Sequence, residues 1–166
     1  MGRKGYSFQV DAVPDKTRLA LAKGKDLPVS MKDAREICNA IMEQGMMLKE
    51  AIQYLNAVLE EEAAVPFKRF HKHAGHRKGL DLWKWDAGRF PKKAAKAVKG
   101  VLNNALNNAR FKGLDEEKLR ILLIAAHPGE KIRQRPDRRG RGGYRGTMTK
   151  RGTNIECSVI EIEEEV

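Results

Sequence analysis

The stretch from Lys131 to Arg151 constrains the fold most, because it cannot belong to a core. Nine of its 21 residues are basic, Asp137 is its one acid, and its only large apolar side chains are Ile132, Tyr144 and Met148. A segment carrying +8 with almost nothing to bury must lie on the surface. The core therefore has to come from the flanking residues. A chain of 166 residues with 41% hydrophobic side chains can build one compact domain, and 6% aromatics predicts that its core is aliphatic. We read 1–130 and 152–166 as one globular domain, with 66–90 an ordered basic loop within it and 131–151 an extension from it.

Tyr6, Phe8 and Val10 alternate with Ser7, Gln9 and Asp11, the pattern of a half-buried strand. Pro14 closes it, and the residues up to Pro28 read as a polar connection with some helical content. Ser30 is a good N-cap, with Asp33 in the capping-box position. Met31, Ala34, Ile37, Cys38 and Ile41 then recur at helical spacing until Gly45. A second helix begins near Met47, with Leu48, Ala51, Ile52, Leu55, Val58 and Leu59 on one face. Glu60, Glu61 and Glu62 oppose the dipole at its C-terminus, which predicts fraying there. Pro91 suits the first turn of a third helix, whose apolar face is Ala94, Val98, Val101, Leu102, Ala105, Leu106 and Ala109, and which Gly113 ends. Leu119 to Ala126 reads as a buried strand, and Ile155, Cys157 and Val159, alternating with Glu156 and Ser158, as another. Ile160 and Ile162 fall on the opposite parity, so a bulge or a change of covering surface is expected near Val159. The order strand, helix, helix, helix, strand, strand predicts an α+β domain with helices packed on a small sheet.

Charge points to a partner. The net charge is +11 and the pI near 9.8. Residues 66–100 hold eleven basic residues against Asp81 and Asp86, a balance of +9. With 131–151 that makes +17, leaving the rest of the chain at −6. Such concentration fits a phosphate-rich partner better than a need for solubility, with nucleic acid the first candidate and an anionic membrane the second. The 131–151 segment is either an arginine-rich loop that folds on RNA or, because it joins two strands, an extended hairpin. As a hairpin of about a dozen residues per arm it would reach on the order of 40 Å. Gly140, Gly142, Gly143 and Gly146 would permit the turn and a close backbone approach. With so few apolar side chains, either form is expected to become fixed only against a partner. The plainer alternative is a flexible basic loop without a specific role.

The candidate RNA contacts fall in three groups. In the 66–90 loop they are Lys68, Arg69, Lys72, His76, Arg77, Lys78, Lys84 and Arg89. On the third helix a stripe of Lys92, Lys96, Lys99, Asn103, Asn107 and Arg110 faces away from the apolar side. In the extension they are Lys131, Arg133, Arg135, Lys150 and Arg151. The loop also holds His71, His73 and His76, but their spacing has no established ligand logic and no cysteine lies near, so no metal is expected. Trp83 and Trp85 suit either base stacking or anchoring of the loop on the domain. Asp81 and Asp86 are expected to bridge to lysine, and Cys38 and Cys157 to be buried as small hydrophobes. No Walker loop, dinucleotide fingerprint or paired nucleophile and base appears, so neither enzymatic activity nor a cofactor or small-molecule substrate is expected. The N-terminus lacks a signal-like apolar run, and no stretch approaches the ~18 apolar residues of a membrane span, so a soluble cytoplasmic protein without a membrane partner is expected. Beside a protein with fixed RNA sites, two functional readings stay open: a chromosomal or RNA-chaperone protein that coats nucleic acid without fixed sites, and an RNA-processing nuclease using His71, His73 and His76.

Several stretches resemble the large-subunit ribosomal proteins of the L-twenty-two family. Val29-Ser30-Met31-Lys32-Asp33-Ala34-Arg35 resembles the opening of that family's first long helix. Lys92-Lys93-Ala94-Ala95-Lys96-Ala97, leading to Asn103-Asn104-Ala105-Leu106-Asn107-Asn108-Ala109, resembles a later one. Pro136, Gly140-Arg141 and Lys150-Arg151 before Thr153-Asn154-Ile155 match its extended loop. The resemblance covers essentially the whole chain. It implies three helices on a small antiparallel sheet, with a long basic β-hairpin extension. It further implies a globular part on large-subunit (23S-type) rRNA near the polypeptide exit, and a hairpin lining the exit tunnel. The implied tip is Arg138, Arg139, Gly140, Arg141, Gly142, Gly143, Tyr144 and Arg145, facing RNA and the nascent polypeptide. Neighbouring large-subunit proteins are the other implied partners. The 66–90 loop is longer than the link in bacterial members and looks archaeal or eukaryotic, and the lack of a long C-terminal extension favours the archaeal branch.

Overall fold

The structure, a computed structural model, describes residues 7, 13, 15–133 and 149–162. Its main sheet is antiparallel, in the order β1 (Leu19–Leu27), β5 (Thr149–Glu161), β4 (Leu119–Arg133). Three helices, α1 (Met31–Gln44), α2 (Leu48–Leu59) and α3 (Lys92–Phe111), complete an α+β domain, as the sequence predicts. Between α2 and α3 lies a two-stranded ladder of β2 (Val65–Pro66) and β3 (Gly88–Arg89).

The helix ends follow from local chemistry. Ser30 Oγ accepts the Asp33 N–H at the start of α1, and Gly45 closes it with φ 59°. The Met47 N–H donates to Glu50 Oε2 at 2.9 Å, opening α2. That helix stops at Leu59, short of the three glutamates, and Glu61 instead turns left-handed and meets Lys92 Nζ at 2.7 Å. Pro91 caps α3 from one residue outside, instead of occupying its first turn, and its carbonyl accepts the Ala95 N–H.

Two expectations need correction and two gain detail. The 14–28 stretch is not a polar connection but contains β1, an edge strand whose Leu19, Ala20 and Ala22 are buried. Lys23, Lys25 and Asp26 mask it in the sequence, since an edge strand tolerates charge where a central one does not. The bulge expected near Val159 is present, with its extra residue on the partner strand: β4 shifts register between Ile121 and Leu123, opposite Val159 and Ser158, while β5 pairs regularly with β1 through Ile160. The ordered 66–90 loop is closed by β2 and β3 and braced by a 3-10 turn at Asp81–Trp83. Asp81 and Asp86 are exposed and make no ion pair among the described residues. The expected strand over Tyr6 to Asp11 lies outside the described residues except for Ser7.

The helices cover one face of the sheet. Ile37, Ile41, Leu55, Val98, Leu102, Leu119 and Ile155 are essentially inaccessible, each adding about 1.5–3 kcal/mol of burial. Cys38 and Cys157 are buried and free; burial raises the Cys38 thiol far above its ordinary range and pushes Cys157 up to about 12. The opposite face of β5 is closed too. Glu156 is buried there, accepting from the Ser7 N–H and Oγ, both at 2.7 Å, and pairing with Lys23 at 2.9 Å. Burial pushes its carboxyl up, but those hydrogen bonds and the ammonium outweigh it and hold the group below the usual carboxylate value.

At the root of the β4–β5 pair, Asp26 adopts a left-handed φ of 48° and joins three strands. Its N–H donates to Asn154 Oδ1, and its Oδ1 accepts the Glu130 N–H, both at 2.8 Å. Gly129 and Gly152 leave room for this: a Cβ on Gly152 would lie 2.9 Å from the Asp26 Cα. Thr153 Oγ1 donates to the Val29 carbonyl and ties the same point to the start of α1. Beyond it the ladder continues through Lys131↔Arg151 and Ile132↔Lys150 to Arg133↔Thr149. Arg135 and the expected tip, Arg138 to Arg145, lie outside the described residues.

Candidate nucleic-acid interface

The 66–90 loop is organised around a buried acid. Glu36, on α1, has its carboxylate aimed at consecutive backbone amides. Oε2 accepts the Lys68 N–H at 3.2 Å, and Oε1 accepts those of Arg69 at 3.0 Å and Phe70 at 2.7 Å. This fixes the start of the basic loop as a chain of positioned donors. Two tryptophans hold the far side. Trp83 is buried against Tyr54, with ring centroids 5.6 Å apart, and Nε1 donates to the Ala40 carbonyl. Trp85 is half-buried, and its Nε1 donates to the Phe67 carbonyl at 2.9 Å. Anchoring, not base stacking, is thus what both indole N–H groups do here.

The loop's cations rest on aromatic rings. Arg89 lies over Phe67 at 5.4 Å while its Nη2 donates to the Lys72 carbonyl, Arg77 lies over Phe90 at 5.5 Å, and Arg69 lies over Phe70 at 5.8 Å. The guanidinium groups keep free N–H edges while their stems are held, which reduces the entropy lost when they meet a phosphate. Lys72, His76, Lys78 and Lys84 are exposed, and a bridge to Ala87 sets the backbone of His76. Lys68 is already paired with Glu43 at 2.7 Å. His71 Nδ1 donates to the Lys68 carbonyl at 2.9 Å, and the ring sits edge-on to Trp85. No metal-capable cluster occurs among the described residues.

Along α3 the stripe divides. Lys92 is paired with Glu61, and Arg110 with Glu116. Lys96 and Lys99, between them, have no partner among the described residues, and Asn103 and Asn107 continue their row in solvent. Lys131, Lys150 and Arg151 are exposed on the arms of the β4–β5 ladder, and Arg133 stands opposite Thr149. Of the candidate contacts, the cations without an acidic partner among the described residues therefore lie in the loop, the middle of α3 and the ladder arms.

Sequence reasoning misses the residues that hold this surface. Glu36 reads as solvent-facing from the Ala34–Ile37–Cys38–Ile41 face, yet Ala40, one turn on, is buried beneath Trp83. A small residue four positions after a lone acid is the one available hint that a second face of α1 is covered. Asp26 and Asn154 carry no periodic signal at all.

Comparison with known proteins gives the family. Residues 22–160 match the family described as ribosomal protein L22p/L17e. Large ribosomal subunit protein uL22 of Methanocaldococcus jannaschii is 46% identical over 134 residues, 81% of each chain. Its counterpart in Methanothrix thermoacetophila is 47% identical over 80% of this chain and 82% of its own. That of Aeropyrum pernix is 39% identical over 98% of this chain and 100% of its own. Among the described residues no helix is long and apolar enough to cross a membrane. With the family model covering all three helices and most of the sheet, and archaeal relatives matching over most of their length, this chain belongs to the ribosomal protein L22p/L17e family, in its archaeal form.

Proposed function

We propose that this protein is a non-catalytic constituent of the cytoplasmic large ribosomal subunit and binds large-subunit rRNA through three surfaces. The 66–90 loop presents ring-supported arginines to phosphates. The middle of α3 presents Lys96 and Lys99. The extension, with Arg135 and the tip from Arg138 to Arg145, lines the nascent-peptide exit tunnel, while the domain sits near the polypeptide exit beside neighbouring ribosomal proteins. The observation that carries the reading is the unpaired middle of the α3 stripe. Lys96 and Lys99 stand on one helical face without an acid, whereas Lys68, Lys92 and Arg110 are each matched by a glutamate. Unmatched cations in a row on a rigid helix are suited to a phosphate backbone.

The test is binding to deproteinised large-subunit rRNA from an archaeal relative across a salt series. Replacing Lys96 and Lys99 by Ala should lower the slope of log affinity against log salt by about 0.7–0.9 for each phosphate no longer neutralised. An unchanged slope would place the stripe in solvent. Co-sedimentation of the parent protein with large subunits after a high-salt wash separates this reading from a general nucleic-acid coat.

A further inference from the structure

Phe111, the last residue of α3, is 94% exposed, the most exposed of the large hydrophobics among the described residues. It follows Asn107 by one helical turn and so extends the stripe that begins with Lys92. Beside it, between the end of α3 and β1, lies a groove of about 480 Å³. Leu19 and Leu21 line its floor, Asn108 and Phe111 its helix side, and Lys16 and Lys112 its edge.

The polar groups here are arranged. Asn108 Nδ2 donates to the Leu21 carbonyl at 2.8 Å, which orients the amide and leaves Oδ1 without a partner among the described residues. Lys112 Nζ is held by the Leu19 carbonyl at 2.6 Å and the Lys16 carbonyl at 3.4 Å, so a positive charge is fixed at the edge. The nearby acids are already matched, Asp15 by Arg18 at 3.1 Å and Glu116 by Arg110.

We propose that this groove takes one unpaired nucleotide of the bound RNA, with its base stacked on Phe111. This rests on the RNA-binding reading above and deepens it. A flat apolar ring facing solvent suits a base face, which every nucleotide offers. Asn108 Oδ1 accepts an N–H from the base edge. The fixed Lys112 ammonium meets the flanking phosphate. An acidic protein segment would also meet that lysine but would have no use for an oriented amide acceptor. The cationic edge and that acceptor together favour RNA.

The test measures affinity and salt slope on the same archaeal large-subunit rRNA, using the full chain. Phe111 is so exposed that its replacement does not threaten folding. Phe111→Ala should weaken binding about five- to a hundredfold with the salt slope unchanged, the loss of one stacked base. Phe111→Tyr and Phe111→Trp should restore affinity, and Phe111→Leu should not. Parent-like binding by Phe111→Ala, in an assay where the Lys96 and Lys99 replacements lower the slope, would overturn the groove and leave the RNA interface standing. Full rescue by Leu would overturn stacking, because an aliphatic side chain offers no ring face to a base. No effect from any of these variants would overturn both readings.

Discussion

Asp26 Oδ1 accepts the Glu130 N–H at 2.8 Å, tying the edge strand β1 to the strand that leads out to the basic extension. Asn154 closes the other side by accepting the Asp26 N–H. The direction in which β4 and β5 leave the domain is thus set by one carboxylate and one amide in a gap kept open by two glycines. Asp26→Ala should cost about 1–2 kcal/mol, since the hydrogen bond is lost and alanine is strained at positive φ. Asp26→Asn, which tolerates that φ and keeps an acceptor, should cost about half as much. Urea unfolding of the two variants checks the order.

Gly152→Ala probes the same point from the other side. Its Cβ would meet Asp26 backbone at 2.9 Å, and backbone cannot swing aside as a side-chain tip can. A loss of about 1–3 kcal/mol is expected in the same assay, with β4 and β5 displaced at the root. Gly75→Ala, where nothing lies within 4 Å, is the control for a methyl group added in open space.

Glu36→Ala should cost about 3 kcal/mol, because it strips the acceptor from the Lys68, Arg69 and Phe70 amides at once. Glu36→Gln keeps one carbonyl oxygen and should cost less. Trypsin should cut after Lys68 and Arg69 faster in Glu36→Ala than in the parent. Equal cleavage rates would mean that the loop is held by Trp83 and Trp85 without the carboxylate.

These positions show how far a sequence can be read. The three helices are legible because Ala34, Ile37 and Ile41 in α1, Ala51, Leu55 and Val58 in α2, and Ala94, Val98 and Val101 in α3 repeat at helical spacing. Strand β1 is not, because its buried residues are crowded into Leu19–Ala22 and its remainder is charged edge. The cations of the interface are legible as charge. What aims them is not: Phe67, Phe70 and Phe90 stand in a stretch without a clean period, and Glu36 looks like surface. Their partners lie at other places in the chain, where no local period reaches.

Glu156 makes stability depend on acid. Its carboxyl lies below the ordinary value, so its contribution is complete above about pH 4.3 and is lost as the pH falls through the lowered folded-state value. Glu156→Gln should be less stable than the parent near pH 6 and should lose less on going to about pH 3. Thermal melts across that range read the crossing.

Removing residues 134–148 and joining Arg133 to Thr149 through a short glycine turn should leave the melting midpoint almost unchanged, since the core lies in the helices and the three-stranded sheet. The same deletion should remove much of the salt-sensitive rRNA affinity. Failure to fold would mean that these residues contribute to the core after all.

Strand β5 pairs with both β1 and β4, yet it is the last of the strands in chain order. During synthesis, everything up to Arg133 is made before the piece that joins the two outer strands exists. Until then both strands expose unpaired backbone edges next to a dense run of arginines, a combination prone to wrong association. The sheet therefore closes late, after the arginine-rich stretch has already emerged. A polyanion that engages those arginines early would shield the unfinished chain while its central strand is still arriving.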